Sequence, residues 1–238
     1  MIFAAGMGTR LRPLTDTLPK ALVPVKGVPM LEIMIRCLIT HGVDGIVVNV
    51  HYYAEMIIEF LHKHDNFGID IKISNEKDML LETGGGLWNA RRWLHGEESF
   101  FVCNADIFTN IDFTKLYQAH HDSGAMATLA VRNRNSSREL LWDGDMQLCG
   151  WRNNKEGKSI VPVPKVDLKP YAFSGIQVIS PKIFDTCKRK GKFGLIDWYL
   201  DICPQNKILG YKHDSDIWID IGSTKALEDA NASSIIVW

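Results

Sequence analysis

Three basic side chains follow the first apolar segment of the chain, in the stretch AAGMGTRLRPLTDTLPKALVPV. Arg10 and Arg12 come just after two glycines, Gly6 and Gly8, and Lys20 stands between two prolines. Forked guanidinium donors suit phosphate oxygens, and successive backbone N–H groups in a glycine-containing loop form an anion-binding nest. The stretch therefore predicts a phosphate-binding loop, and the two glycines alone leave open a tight turn with solvated arginines.

The loop matches neither of the two commonest phosphate-binding patterns. A P-loop reads GxxxxGK[ST], and no lysine follows Gly8 directly. A dinucleotide-binding fingerprint has a third glycine where Leu11 stands. The pattern disfavours an NAD-dependent oxidoreductase and indicates a phosphate loop of another type.

Two aspartates stand at the ends of apolar segments that lie far apart in the sequence. Asp106 follows FFVCNA, and Asp220 lies within WIDIG. Open α/β sheets bind ligands at the carboxyl ends of their strands, and Mg²⁺ prefers hard oxygen ligands such as carboxylates. Aspartate at such a position also commonly forms a turn, so the residues alone leave both interpretations open.

Alternating strand and helix patterns must position these side chains. The first half of the chain carries strand patterns at 2–5, 45–50, 69–74 and 100–106 and helix patterns at 30–41, 54–64 and 85–94. This order predicts an α/β fold with a doubly wound, mostly parallel, twisted sheet flanked by helices. After residue 126 the pattern becomes strand-rich, with helices near 181–189, 195–203 and 224–232. We expect one domain over 1–238, with parts of about 1–125 and 126–238.

The opening stretch closely resembles the signature of sugar-1-phosphate nucleotidyltransferases, G-x-G-T-R-L-x-P-L-T followed by P-K-x-L-x-P-V. Four further segments resemble this family in matching order: LETGGGL at 81–87, CNADIFTNIDF at 103–113, FSGIQVISPKIF at 173–184 and WIDIGSTKAL at 218–227. The E-T-G-G-G-[IL] and F-S-G-I segments look most like the bacterial N-acetylmuramate-1-phosphate uridylyltransferases. That branch usually has N-G-D where this chain has N-A-D at 104–106.

The resemblance implies a Rossmann-like enzyme that joins a nucleoside triphosphate to a sugar 1-phosphate and releases pyrophosphate. It assigns catalysis to Arg10 and Lys20, which contact phosphates, and to Asp106 and Asp220, which bind Mg²⁺. The implied nucleotide-binding residues are Ala5, Gly6, Gly8, Thr9, Arg10, Lys20, Glu82, Thr83, Gly84 and Gly85. The implied sugar-binding residues are Asn104, Ser174, Gly175 and Lys165, with Lys169 as the alternative lysine. The first part of the chain would bind the nucleotide and the second the sugar.

The three glycines at 84–86 predict a flat backbone surface that accepts a nucleobase, because we interpret them as unnecessary for packing. A flexible loop before a helix is the alternative. The surface would favour uracil or thymine over guanine, since the loop supplies no acceptor for a purine amino group.

The favoured substrates are UTP and N-acetylmuramate 1-phosphate or a related amino sugar. The alternatives are mannose 1-phosphate with GTP, glucose 1-phosphate with dTTP or UTP, and phosphocholine with CTP. A non-catalytic regulatory homologue that binds a nucleotide sugar is a hypothesis of a different class. Such a protein would be expected to lose Arg10, Lys20, Asp106 or Asp220, and all four are present.

Composition excludes several other classes of function. The net charge of −1 over 238 residues provides no basic field to hold nucleic acid. No apolar run approaches the roughly 18 residues of a membrane span. The five cysteines are an odd number without a CxxC pair, which is typical of reduced thiols. We therefore expect a cytoplasmic protein that binds neither nucleic acid nor membranes.

Overall fold

The computed structural model describes residues 1–77, 79–96 and 98–234. The strands within these residues, named β1 to β14 in chain order, are Ile2–Phe3, Pro24–Val25, Val28–Pro29, Gly45–Val50, Asp70–Asn75, Phe100–Asn104, Ile107–Thr109, Ala127–Arg132, Arg138–Trp142, Leu148–Asn153, Lys158–Ile160, Lys169–Ile179, Ile208–Lys212 and Trp218–Asp220. The α-helices, named α1 to α6, are Met30–Thr40, Ala54–Lys63, Glu82–Leu94, Phe113–Ser123, Leu195–Ile202 and Thr224–Ala232.

The chain divides into two compact units. The first unit comprises Met1–Leu80, Cys103–Phe113 and the segment that begins at Asp216. The second unit comprises Leu81–Val102 and Thr114–Ser215. These are units of packing, and the predicted assignment of nucleotide and sugar to the two parts of the chain stays a prediction.

The first unit contains parallel strands in the order β6-β1-β4-β5, with β6 represented by its last two residues, Cys103 and Asn104. Five of the six residues of β4 are buried, as expected for a strand in a parallel sheet with both faces covered. The chain runs from β1 out to β4 and β5 and then returns to β6 on the other side of β1. Strand order therefore reverses between β1 and β6. Sheets of this kind bind ligands outside the carboxyl ends of the strands at such a reversal.

Helix α1 packs beside β3 and β7, and it buries one face because its apolar residues recur at helical spacing. Met30, Ile33, Met34, Cys37 and Leu38 are all buried, as the pattern predicts. The helix ends at Thr40, two residues before the glycine at position 42.

The second unit is richer in strands, and most of its pairings are antiparallel. Its strand order is β11-β10-β9-β12, and β8 pairs with both β12 and β13. Among the described pairings of these five neighbours and β13 with one another, that of β13 with β8 is parallel and those of β10 with β11, β10 with β9, β12 with β8 and β12 with β9 are antiparallel. The predicted α/β class, with a mostly parallel sheet flanked by helices and a strand-rich segment after residue 126, is confirmed.

Two further features concern the described part of the chain as a whole. None of its helices combines the length and the apolar character needed to cross a membrane. The five cysteines are free thiols, and four of them are buried.

Candidate active site

The loop after β1 depends on Gly8, whose φ of +63° lies in the left-handed region. A Cβ atom at Gly8 would lie 2.9 Å from Lys20 Cβ and 2.9 Å from Thr15 Cγ2, so only glycine fits here. At Gly6, by contrast, a Cβ atom would have no neighbour within 4 Å. The loop is therefore packed on one side at Gly8 and open at Gly6.

Thr15, which is not among the predicted site residues, fixes the same loop. Its side chain is buried, and its Oγ1 donates a hydrogen bond of 2.8 Å to the carbonyl oxygen of Gly8. The signal was present, because Thr15 is the last residue of the signature G-x-G-T-R-L-x-P-L-T. A buried hydroxyl needs a partner, and the loop carbonyl supplies one.

Lys20 lies between the two aspartates that stand 114 positions apart. Its ammonium donates a short hydrogen bond to Asp106 Oδ2, and it lies 3.9 Å from Asp220 Oδ1. The Lys20 side chain is only 12% exposed, whereas those of Asp106 and Asp220 are 22% and 43% exposed. The structure thus brings together three of the four predicted catalytic side chains in the first unit.

Backbone pairing sets the separation of the two carboxylates. Asp106 follows β6 at the carboxyl edge of the parallel strands. Strand β14 runs antiparallel to β7, which places Asp220 opposite Ile107. The backbone N–H of Ile221 also donates to the carbonyl oxygen of Asp106 at 2.9 Å. Because the main chain holds both residues, their carboxylates are fixed next to each other.

Arg10, the fourth predicted catalytic residue, lies against Gly222. A Cβ atom at position 222 would approach Arg10 Nη2 to 2.6 Å and Asp220 Oδ1 to 3.1 Å. The missing side chain therefore leaves room for the guanidinium beside the aspartate. Arg10 itself is exposed, so its donors remain accessible to a phosphate.

The other first-unit residues predicted to bind ligands lie on the same loop and strand. Ala5 is buried at the start of the loop, and Thr9 is exposed in the short helical turn Thr9–Leu11. Asn104 is half-buried at the end of β6, two residues before Asp106.

Glu82, Thr83, Gly84 and Gly85 belong to the second unit, where they form the first turn of α3 rather than a loop. The N–H groups of Gly84 and Gly85 donate to the carbonyl oxygen of Phe193 at 2.9 and 3.1 Å. A Cβ atom would lie 2.5 Å from the Phe193 ring at Gly84 and 2.4 Å from a backbone oxygen at Gly85. The premise that these glycines are unnecessary for packing is wrong, because the segment around Phe193 fills the space that side chains would need.

The polar side chains of this turn also have partners in the second unit. Thr83 Oγ1 accepts a hydrogen bond of 2.9 Å from the backbone N–H of Leu195, and Glu82 Oε1 lies 3.6 Å from Lys192 Nζ. The assignment of this turn to a nucleobase stays a prediction.

The predicted sugar-binding residues of the second unit occupy different environments. Ser174 is fully buried in β12, and its Oγ lies 2.6 Å from His213 Nε2. The next residue, Gly175, has a φ of +75°. Lys165 forms an ion pair with the buried carboxylate of Asp143, which holds the pKa of the lysine above its usual value. Their assignment to a sugar stays a prediction, as does that of the exposed alternative, Lys169.

Within the described residues, the two aspartates form a pair rather than part of a larger metal-binding cluster. Among the described residues, no group of three or more His, Cys, Asp or Glu side chains could hold a metal ion. A cation bound by Asp106 and Asp220 would thus need further ligands from a substrate or water, which is the usual situation for Mg²⁺.

The chain is similar to proteins of known activity over nearly its whole length. The family described as nucleotidyl transferase matches residues 1–235. N-acetylmuramate alpha-1-phosphate uridylyltransferases from Caulobacter vibrioides and Neisseria meningitidis are 44% and 31% identical to it. Each alignment covers 98% of this chain, and 95% and 96% of the respective relatives.

A mannose-1-phosphate guanyltransferase from Kluyveromyces lactis is 40% identical over 94% of this chain, but the alignment covers only 61% of that protein. The structure of a UDP-glucose pyrophosphorylase from Acinetobacter baumannii superposes with a TM-score of 0.78 at 17% identity, covering 97% of this chain and 90% of the other. That likeness shows a shared fold. Together, the family match and the relatives show that the chain belongs to the nucleotidyl transferase family, as a sugar-1-phosphate nucleotidyltransferase.

Proposed function

We propose that the protein transfers a uridylyl group from UTP to N-acetylmuramate 1-phosphate, giving the UDP-sugar and pyrophosphate. The observation that carries the proposal is the cluster of Arg10, Lys20, Asp106 and Asp220 beside the strand-order reversal of the first unit. The full-length similarity to two uridylyltransferases with this activity supports the choice of both substrates.

The reaction is a direct in-line displacement. A phosphate oxygen of the sugar 1-phosphate attacks the α-phosphorus of UTP and forms a new P–O bond. The bond from that phosphorus to the oxygen bridging the β-phosphate breaks, and its electron pair leaves with pyrophosphate. Since no enzyme group becomes covalently attached, the protein acts by positioning the reactants and neutralising their charge.

The loop after β1 supplies the first set of phosphate contacts. Gly6 leaves open space where a phosphate can approach the main chain, while Gly8 and Thr15 keep the loop in one conformation. Arg10 presents its guanidinium beside Gly222 and binds phosphates of the triphosphate. Lys20 neutralises the charge where the α-phosphate and the incoming phosphate meet.

Asp106 and Asp220 fit a divalent cation. They supply two adjacent hard carboxylates, and the ammonium of Lys20 lies between them, which marks the position as favourable for positive charge. We assign Mg²⁺ to these two carboxylates. When bound, the ion reduces the repulsion between the two phosphate groups that must meet.

The remaining assignments follow the family resemblance. Asn104 lies on the same strand end as Asp106 and is assigned to the sugar. In the second unit, Glu82–Gly85 are assigned to the uracil base. Gly175, with Lys165 or Lys169, is assigned to the sugar 1-phosphate. Ser174 is assigned a supporting role there, because its hydroxyl is already paired with His213.

A pyrophosphate-release assay tests the proposal. UTP, dTTP, CTP and GTP are each combined with N-acetylmuramate 1-phosphate, glucose 1-phosphate, mannose 1-phosphate and phosphocholine. We expect the largest kcat/KM with UTP and N-acetylmuramate 1-phosphate, and a roughly 10- to 100-fold lower value with GTP, because a mismatched base leaves polar groups unpaired. The Asp106→Asn variant is the control for contaminating activity. If GTP with mannose 1-phosphate gives the largest value, the proposal is wrong.

A further inference from the structure

The ammonium of Lys20 occupies the position between the carboxylates to which we assigned the metal. We propose that Lys20 and the divalent cation exchange there: Lys20 is the counter-ion of Asp106 and Asp220 in the free protein, and it moves to the substrate phosphates when metal and nucleotide bind. This inference rests on the proposed function, because it concerns the same carboxylates.

The geometry makes simultaneous occupation costly. Lys20 contacts Asp106 directly and lies 3.9 Å from Asp220, so a cation held by these two carboxylates would meet the positive charge of the ammonium. The Lys20 side chain is 12% exposed, which means that water screens this repulsion weakly. Arg10 Nη2 adds a second positive charge on the Asp220 side, next to Gly222. A metal ion therefore competes with positive charge already in place.

The packing of Lys20 permits the movement. The base of its side chain is held by Gly8, since a Cβ atom at Gly8 would touch Lys20 Cβ at 2.9 Å and Cγ at 3.3 Å. The outer carbons and the ammonium extend beyond this contact, and the four-carbon stem of lysine is flexible. Because Gly8 belongs to the phosphate-binding loop, the ammonium can turn from the carboxylates toward a phosphate on that loop while its base stays fixed.

Two consequences follow for binding. In the absence of nucleotide, the wild-type protein binds a divalent cation weakly, because the cation must displace the ammonium. A nucleotide strengthens metal binding, because its phosphates accept the displaced ammonium and supply further oxygen ligands. Metal and nucleotide should therefore each increase the affinity of the protein for the other, and Lys20 should account for much of this coupling.

Titration of Mn²⁺ into nucleotide-free protein, followed by the electron paramagnetic resonance signal of free Mn²⁺, measures the exchange without any turnover. We expect Lys20→Met to bind Mn²⁺ about tenfold more tightly than the wild type, since a full positive charge near the site is removed. Lys20→Arg, which keeps the charge, should bind as weakly as the wild type. Lys63→Met on α2 is the matched control, because it removes the same charge at a side chain that is 70% exposed.

A second titration contains a non-hydrolysable UTP analogue. The analogue should tighten Mn²⁺ binding to the wild type more than to Lys20→Met. Asp106→Asn should bind Mn²⁺ more weakly than the wild type in both titrations, which places the ion at the carboxylates. Unfolding midpoints of all variants confirm that they are folded, and Lys20→Gln replaces Lys20→Met if the latter is unstable.

Equal Mn²⁺ affinity of Lys20→Met and the wild type would overturn the exchange. A gain in Mn²⁺ affinity in Lys63→Met as large as that in Lys20→Met would also overturn it. Binding that Asp106→Asn does not weaken would also overturn it. These outcomes are separate from the failure of the proposed function, which would appear as the wrong substrate pair in the pyrophosphate-release assay.

Discussion

Arg10 and Gly222 illustrate how single residues shape the site. The guanidinium of Arg10 lies where a side chain at position 222 would stand, and Gly222 itself is buried. No φ in the left-handed region requires a glycine there. The role of Gly222 is therefore to leave space for a neighbouring charge, and its replacement should affect binding more than folding.

We expect Gly222→Ala to raise the KM for UTP roughly three- to tenfold while changing the unfolding temperature little. The new Cβ atom must displace the end of a flexible side chain, which moves Arg10 away from its position beside Asp220. Steady-state kinetics and thermal unfolding measure the two effects. Gly144→Ala is the matched control, since a Cβ atom there meets nothing within 4 Å. A large loss of stability in Gly222→Ala would show that the glycine serves folding instead.

The carboxylate pair leads to a prediction on metal dependence. EDTA should abolish pyrophosphate release and added Mg²⁺ should restore it, because the two substrate phosphates repel each other without a cation. Asp106→Asn should lose roughly 100-fold or more in kcat while the protein stays folded, since the amide keeps the shape of the side chain but not its charge. Undiminished turnover by this variant would contradict the metal assignment.

At the scale of elements, the first turn of α3 is closely packed against the segment around Phe193. The N–H groups of Gly84 and Gly85 donate to the Phe193 carbonyl oxygen, and Thr83 accepts from Leu195 at the start of α5. Glycine in a helix costs about 1 kcal/mol relative to alanine. The glycines persist here because two backbone segments approach each other too closely for a Cβ atom.

Gly85→Ala should therefore destabilise the protein by about 1–3 kcal/mol, despite the better helix propensity of alanine. Its Cβ atom would lie 2.4 Å from the carbonyl oxygen of Gly191, which belongs to the backbone and cannot simply rotate away. Urea unfolding measures the change, with Gly45→Ala as a control whose Cβ atom has its nearest neighbour at 3.8 Å. Unchanged stability together with weaker UTP binding would instead favour the base-binding interpretation of these glycines.

At the scale of the whole molecule, two buried histidines link stability to pH. Burial lowers the pKa of His120 and of His213 from 6.5 to about 4. A neighbouring positive charge lowers each pKa further: His121 lowers the pKa of His120, and Arg132 lowers the pKa of His213. The ring of His120 lies 2.9 Å from Thr128 Oγ1 and 3.0 Å from Ser99 Oγ, so both ring nitrogens have partners.

Because the folded pKa values lie below the unfolded value, the unfolded chain binds more protons between pH 6.5 and pH 4. Stability should fall as the pH is lowered through this range, by roughly 1–2 kcal/mol for each histidine by pH 5. Urea unfolding at pH 7, 6 and 5 measures the slope, and His213→Gln should reduce it. Proton NMR titration of the two imidazoles provides the direct measurement. Titration of both rings near pH 6.5 in the folded protein would contradict the prediction.

The sequence by itself predicted several helices and strands of the first unit and the residue types of its candidate site. Periodic apolar residues predicted α1 and the buried strand β4, because these patterns depend on neighbours within one segment. The glycine–arginine–lysine stretch predicted a phosphate loop, and the family resemblance, confirmed by the comparisons, assigned Asp106 and Asp220 together. Local patterns were sufficient for predictions that depend only on residue types and their spacing.

Only the tertiary structure decided which distant residues meet. The antiparallel pairing of β14 with β7 places Asp220 beside Asp106, and no spacing rule in the sequence encodes that pairing. The close approach of Gly191 to Gly85 could not be predicted from the sequence, so the packing requirement at these glycines was missed. The contact of Lys20 with Asp106 and the space that Gly222 leaves for Arg10 are likewise long-range. Such contacts depend on how separate segments fold against one another, because the forces involved act across space rather than along the chain.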